Sequence, residues 1–492
     1  MPIQPQTNIH ISLLSSEKCD EFIEHALFVL RKTGIKTANE QAITLLLDSG
    51  AIRNPSTNRI CIPESLSEKC LASIPHTFTM FDRDGEQPHV VGDKQIYFNP
   101  GSSALYIYDI KTRRHRSAQT NDLIRLAALT DQLPAIAWQS TALVPDDVPK
   151  EIADRYRLFL ALQYSRKPIV TGTFSTDGFS VMHELLCAIR GGQARLADKP
   201  LAIFDCCPTS PLSWSELTCQ NLIDCAHTSV PATIVPMPLM GATAPGFHAG
   251  FLVQIAAEII SGLVIHQLAR PGAPVCWGGS PAVFDMRHGT TPVGTIESMM
   301  LNLASCQLGY HLRIPTMGYL GLSDAATPDI RAGFESGTGA TLAALGYVNI
   351  ASGPGMFHFQ SSQCLEKLVI DNDLCEMVLK LRDGIPSTDL NPVTDLLDDI
   401  DDPQHFLTSF NTMTAMRSEF LMPSSLINRT PHRIDTPFTA DDILLRSHQK
   451  VNELIPATLS SKFDASLQKE LQQRMLSDAQ KYGTDKLPII NL

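Results

Sequence analysis

Three short stretches concentrate the residue types that bind and orient small ions. WGGSPAVFDMRHGTTP carries Gly278 and Gly279 and then Asp285, Arg287 and His288 on one loop. GLSDAATPDIRAGFESGTG holds Ser323, Asp324, Asp329, Arg331 and Glu335, and SGPGMFHFQSSQ sets Phe357, His358 and Phe359 behind two glycines. A diglycine lets backbone approach a ligand closely. Three carboxylates opposed by one arginine suit an anionic lining for a cation, although helix capping by Asp324 or Asp329, and an ion pair of Asp285 with Arg287 that merely shapes the loop, compete with that reading. His358 reads either as a packed histidine or as a functional one. The ring faces of Trp277, Tyr319 and Phe357 would attract a quaternary ammonium, with core packing as the alternative for each.

Other chemistries lack their motifs. No G-x-G-x-x-G follows a strand pattern and no G-x-x-x-x-G-K-[ST] is present, so dinucleotide and nucleoside triphosphate binding are unsupported. C-x-x-C and H-E-x-x-H are both missing, and adjacent Cys206 and Cys207 read as packing, so no metal site is expected. No serine sits in a G-x-S-x-G elbow.

The three stretches share one structural position. Apolar runs at Val275 to Trp277, Met317 to Leu320 and Val348 to Ala351 each stop at one of these loops before a helical pattern resumes. Similar runs lie at Ala135 to Ser140, Pro168 to Thr173, Leu201 to Cys206 and Thr233 to Met240, with helical stretches between them. Strands apolar on both faces that alternate with helices predict a helix-covered parallel sheet. Seven such strands favour closure, and the expectation is an α/β fold, a TIM (β/α)8 barrel over residues 119–400 with its site at the strand carboxyl ends. The eighth strand is expected as a short one after Leu381. Residues 1–118 read as an N-terminal cap of helices and a small antiparallel sheet, including a strand pair from Phe98 to Tyr108, and 401–492 as a C-terminal helical extension suited to oligomer contacts.

Composition narrows the class further. The chain has 492 residues, 43% hydrophobic and 18% charged, which is globular rather than disordered. A net charge of -12 without basic clusters argues against nucleic acid. Twelve scattered cysteines suit reduced thiols in a cytoplasm, and the first residues show no basic and apolar secretory pattern. The most membrane-like run, Phe247 to Leu268, is interrupted by His248, Gln254, Glu258, His266 and Gln267 and reads as a buried helix, not a membrane span.

The block from GGSPAVFDMR to LEKLVIDN closely resembles the trimethylamine methyltransferase (MttB-like) family, and FNPGSSALYIYD, DLIRLAALTDQLP and ALVPDDVP are similar to it too. The resemblance covers most of residues 10–480. It implies a TIM barrel and transfer of a methyl group from a methylamine to the cobalt of a corrinoid held by a separate protein, with no tightly bound cofactor in this chain. The archaeal trimethylamine members carry pyrrolysine, whereas this chain has only standard residues, so the resemblance implies a quaternary amine, glycine betaine first. Proline betaine, carnitine, γ-butyrobetaine, a non-amine methyl donor, or a betaine-binding protein without turnover are the alternatives. On this reading His358, Glu335 and Arg331 align the substrate. Trp277, Asp285, Arg287, Tyr319, Asp324, Asp329 and Phe357 bind it, with Arg287, Arg331 or His358 as candidates for its carboxylate. A homo-oligomer and a corrinoid protein docked over the strand ends complete the expectation.

Overall fold

The computed structural model describes residues 9–385, 406, 410–422, 424–427, 429, 431, 442–456 and 459–488. The expected strand after Leu381 and the acidic stretch beyond it lie outside the described residues.

Eight short parallel strands organise the chain. We label them β1 (Tyr97–Asn99), β2 (Gln139–Ser140), β3 (Ile169–Thr171), β4 (Ala202–Cys206), β5 (Ala232–Ile234), β6 (Val275–Trp277), β7 (Met317–Tyr319) and β8 (Ile350–Ser352). One sheet runs β6-β5-β4-β3-β2 and a second β7-β8-β1, with all pairs parallel. The seven strands expected from apolar runs are all present. Regular ladders stop short of a closed ring: the two sheets meet at one edge through a single Trp277–Thr316 bridge. At the other edge, Trp138 N–H donates to Phe98 C=O at 3.1 Å.

The strand pair expected from Phe98 to Tyr108 does not form. Tyr97–Asn99 does not pair with Tyr106–Asp109 but runs parallel to β8, while Tyr106–Asp109 makes its antiparallel hairpin with Arg114–Ser117. A three-residue strand is too short for its own alternation to report its partner; Asn99 instead fixes it by donating to Ser352 Oγ at 2.8 Å. The rest of the N-terminal segment holds helices Ser16–Lys32, Glu40–Asp48 and Glu64–Ala72 and two further hairpins.

Helices cover one face of the sheets: Ala153–Tyr164, Gly178–Arg190, Glu216–Thr228, His248–Ala269, Ile296–His311, Ile330–Leu345 and Leu365–Asp383. His248–Ala269 is long and apolar enough to cross a membrane, yet it is packed within the protein, with Gly262 against the Trp214 ring. Which side chains face the helices follows from strand alternation and two close approaches. A side chain on Gly309 would strike the Trp277 ring at 2.6 Å, so Trp277 faces the helices and Cys276 faces away. A side chain on Gly318 would strike Asn302 at 2.4 Å, so Met317 and Tyr319 face away as well. Buried residues sort accordingly: Phe204, Ile234 and Trp277 join one core cluster, and Val170, Ile203, Cys276 and Tyr319 the other.

Candidate functional site

The face turned from the helices carries a charged group at its carboxyl end. On β4, Ile203 and Asp205 point that way by alternation. Pairing puts Asp205 opposite Thr233 and Thr233 opposite Cys276, so three neighbouring strands contribute one polar row. From β7, the Tyr319 hydroxyl donates to Asp205 Oδ2 at 3.2 Å. Burial pushes the Asp205 carboxyl up to about 7, and burial together with the adjacent carboxylate holds the Tyr319 hydroxyl well above its usual range. Among the described residues Asp205 Oδ1 has no hydrogen-bond partner. A buried acceptor left in that state costs about 1–3 kcal/mol, which a bound cation would offset.

Near this row, at the ends of β2 and β3, lies Arg157, fully buried on helix Ala153–Tyr164. Its guanidinium stacks on Phe174 at 4.3 Å and donates through Nη1 to Thr141 C=O at 2.8 Å. Neither Asp205 nor Arg157 was singled out from sequence. The available signal was a carboxylate inside an otherwise apolar strand (AIFDCC) and an arginine within an apolar helix (YRLFLAL).

Apart from Tyr319, described above, and Trp277, the residues selected from sequence form three groups. In the first, Arg331 and Glu335 lie on the helix Ile330–Leu345, whose start is set by Asp329, which caps it by accepting from Ala332 N–H at 3.1 Å. One turn apart, Arg331 Nε donates to Glu335 Oε1 at 2.6 Å. Glu335 Oε2 accepts from Ser323 Oγ at 2.5 Å and from Asp324 N–H at 2.8 Å. Asp324 in turn accepts from Val293 N–H at 3.1 Å and Gly294 N–H at 2.7 Å, and burial raises its carboxyl to about 6. These groups tie the loops after β6 and β7 together.

In the second, Asp285 accepts from Arg287 N–H at 2.8 Å and meets His288 Nδ1 at 3.0 Å, contacts that hold its carboxyl far below the usual range, the His288 contact most of all. Arg287 is 84% exposed. In the third, Phe357 is buried against Tyr108 and His115, and His358 stacks on His115 at 4.6 Å. Burial lowers the His358 pKa, and His115 lowers it further. His358, Phe359 and Gln360 have φ of 52°, 56° and 62°, a run of left-handed backbone without glycine. His358 N–H to Ala325 C=O at 3.0 Å and Gln360 Nε2 to Ser280 Oγ at 3.1 Å hold it over the strand ends. Trp277 stands apart from all three, its Nε1 donating to Ser305 Oγ at 3.2 Å inside the helix layer.

Around these groups the loops after the strands and the start of helix Ile330–Leu345 expose apolar side chains: Phe174, Met237, Met286, Ile330, Phe334 and Phe359. At the opposite end a cleft of about 590 Å³ between His10, Tyr310 and Arg313 contains none of the residues above.

Comparison with known proteins agrees with this architecture. Two crystal structures of MtmB superpose over 91% and 92% of the chain with TM-scores of 0.51 and 0.50 at 11% identity, a hydroxylamine complex and the Methanosarcina barkeri monomethylamine methyltransferase. That likeness defines the class by fold, a parallel α/β protein of the kind these enzymes adopt. Residues 2–481 match the family model described as trimethylamine methyltransferase (MTTB), and the chain belongs to that family of methyltransferases. The trimethylamine methyltransferase MttB of Desulfitobacterium hafniense is 26% identical, with 91% of this chain and 90% of the relative covered. MttB of Methanosarcina thermophila is 28% identical and the glycine betaine methyltransferase of D. hafniense 25%, each with 94% of this chain and 97% of the relative covered.

Proposed function

We propose that the chain removes a methyl group from a quaternary amine, glycine betaine first, and passes it to a Co(I) corrinoid carried by a partner protein. The observation that carries this is the Asp205 carboxyl with its unpartnered, enclosed Oδ1 beside Tyr319, which supports a cation that cannot be neutralised as its counterpart. A quaternary nitrogen is permanently charged, so as the methyl carbon–nitrogen bond breaks the nitrogen keeps the electron pair and leaves as a neutral tertiary amine. No acid is needed. The chain's work is to hold the cation against Asp205 and Tyr319 and to aim one methyl outward past the loops. The corrinoid supplies the nucleophile that accepts that methyl. The exposed apolar rim gives its carrier a surface to dock on.

The same reading includes a closed eight-stranded barrel. The Trp277–Thr316 bridge and the Trp138–Phe98 hydrogen bond support closure at the two seams, with β1 as the eighth strand. It also includes a cytoplasmic location, supported by twelve free thiols.

The test is incubation with glycine betaine, proline betaine, carnitine, γ-butyrobetaine and trimethylamine, each with reduced free cobalamin, while the Co(I) absorption band and the demethylated amine are followed. Loss of the band with formation of dimethylglycine is expected. A flat trace with every amine refutes the proposal, and binding without turnover converts it to a betaine-binding protein.

A further inference from the structure

Binding of a betaine needs a second anchor, because its carboxylate must be met as well as its ammonium. The sequence offered Arg287, Arg331 and His358. The two arginines are committed elsewhere: Arg331 lies 2.6 Å from Glu335, and Arg287 folds back on Asp285 at 3.4 Å. Arg157 differs from both. It is fully buried, the Asp154 carboxylate that acts on it through space is paired with Arg155 at 3.3 Å, and its pKa, lowered by burial to about 10, leaves it charged at neutral pH.

The pattern of its contacts is specific. Nη1 is used, by Thr141 C=O and by Ser103 Oγ at 3.2 Å. Nε and Nη2 have no partner among the described residues. Those two N–H groups lie on the same edge of a guanidinium and form the side-on fork that takes both oxygens of a carboxylate. Leaving a charged buried donor edge unpaired is costly, and an anion brought against this edge would offset that cost. Arg157 reaches the ends of β2 and β3, whereas Asp205 and Tyr319 come from β4 and β7. One pole of a zwitterion therefore meets each.

We propose that Arg157 is the specificity-determining residue that receives the substrate's carboxylate through Nε and Nη2, which makes the substrate class a betaine rather than a simple methylated amine. This rests on the quaternary-amine reading given above and adds the anionic half of the ligand.

Calorimetric titration of the full chain with glycine betaine, carnitine and γ-butyrobetaine, against choline and tetramethylammonium, tests it without any corrinoid. At least one betaine should bind the wild type about tenfold or more tightly than either cation lacking a carboxylate. R157Q should weaken that betaine by about ten- to a hundredfold while choline stays within about twofold, and R157K should fall between, since a point charge cannot reproduce the fork. Equal affinity for betaine and choline in the wild type overturns the inference, and that comparison needs no variant to fold. Uniform weakening of every ligand in R157Q, with an unchanged melting curve, overturns it too. If no quaternary cation binds at all, the proposed function itself fails, and this inference with it.

Discussion

Asp205 sets the pH behaviour of the site. Its carboxyl is raised to about 7 by burial, so below that pH it is neutral and above it is an anion. A permanent cation prefers the anion. Affinity for the proposed quaternary amine should therefore climb as pH rises from 6 to 8 and level off above, and D205N should bind weakly at every pH with that slope abolished; isothermal titration at several pH values reads both. The sign for stability is opposite. A carboxyl whose folded pKa lies above its unfolded value loses stability as pH rises from the ordinary carboxylate range to about 7. D205N keeps an acceptor for Tyr319 without the charge and should melt higher than the wild type at pH 8. A variant that binds less and melts lower would instead make Asp205 a structural group. The row Asp205–Thr233–Cys276 was hidden in the sequence because one polar residue in an apolar strand has no visible facing direction until the register is known.

At the scale of elements, the loops after β6 and β7 and the helix Ile330–Leu345 behave as one unit because Glu335 gathers their donors. Glu335→Ala leaves the Asp324 N–H and Ser323 hydroxyl without an acceptor and should cost about 1–3 kcal/mol, read as a lower denaturant midpoint, with Glu335→Gln recovering much of it. Equal midpoints for the alanine variant and the wild type would show that the network contributes nothing. The alternation of apolar runs and helical periods made the seven strands and most helices legible, since each run spans few residues and those ending at Met240, Trp277 and Leu320 meet a glycine. Gathering three carboxylates and an arginine on one loop was legible only as proximity. The sequence could not say that Arg331 and Glu335 stand one helical turn apart and satisfy each other, because helix starts depend on a cap, and two aspartates competed for that role.

For the whole molecule, the strand that was unreadable is β1, which pairs with β8 far along the chain. Tyr97–Asn99 looked like part of a hairpin because a neighbouring strand with aromatic residues follows closely, and nothing local advertises a partner 253 positions away. Its place beside β8, with a backbone contact to the segment before β2, means that residues 1–118 are not a dispensable cap. A chain starting at residue 119 should lack cooperative unfolding and near-ultraviolet circular dichroism. A sharp melting transition in that fragment would show that β1 is peripheral.

That pairing also has a consequence for how the protein is made. Asn99 leaves the ribosome 253 residues before Ser352, which it will hold at 2.8 Å. At synthesis rates of about 5–20 residues per second, Asn99 waits on the order of ten to fifty seconds for its neighbour. During that interval one edge of β1 offers unpaired backbone groups to any other nascent chain. The strand has only three residues, Tyr97, Phe98 and Asn99, and so offers a short template for mispairing while translation finishes.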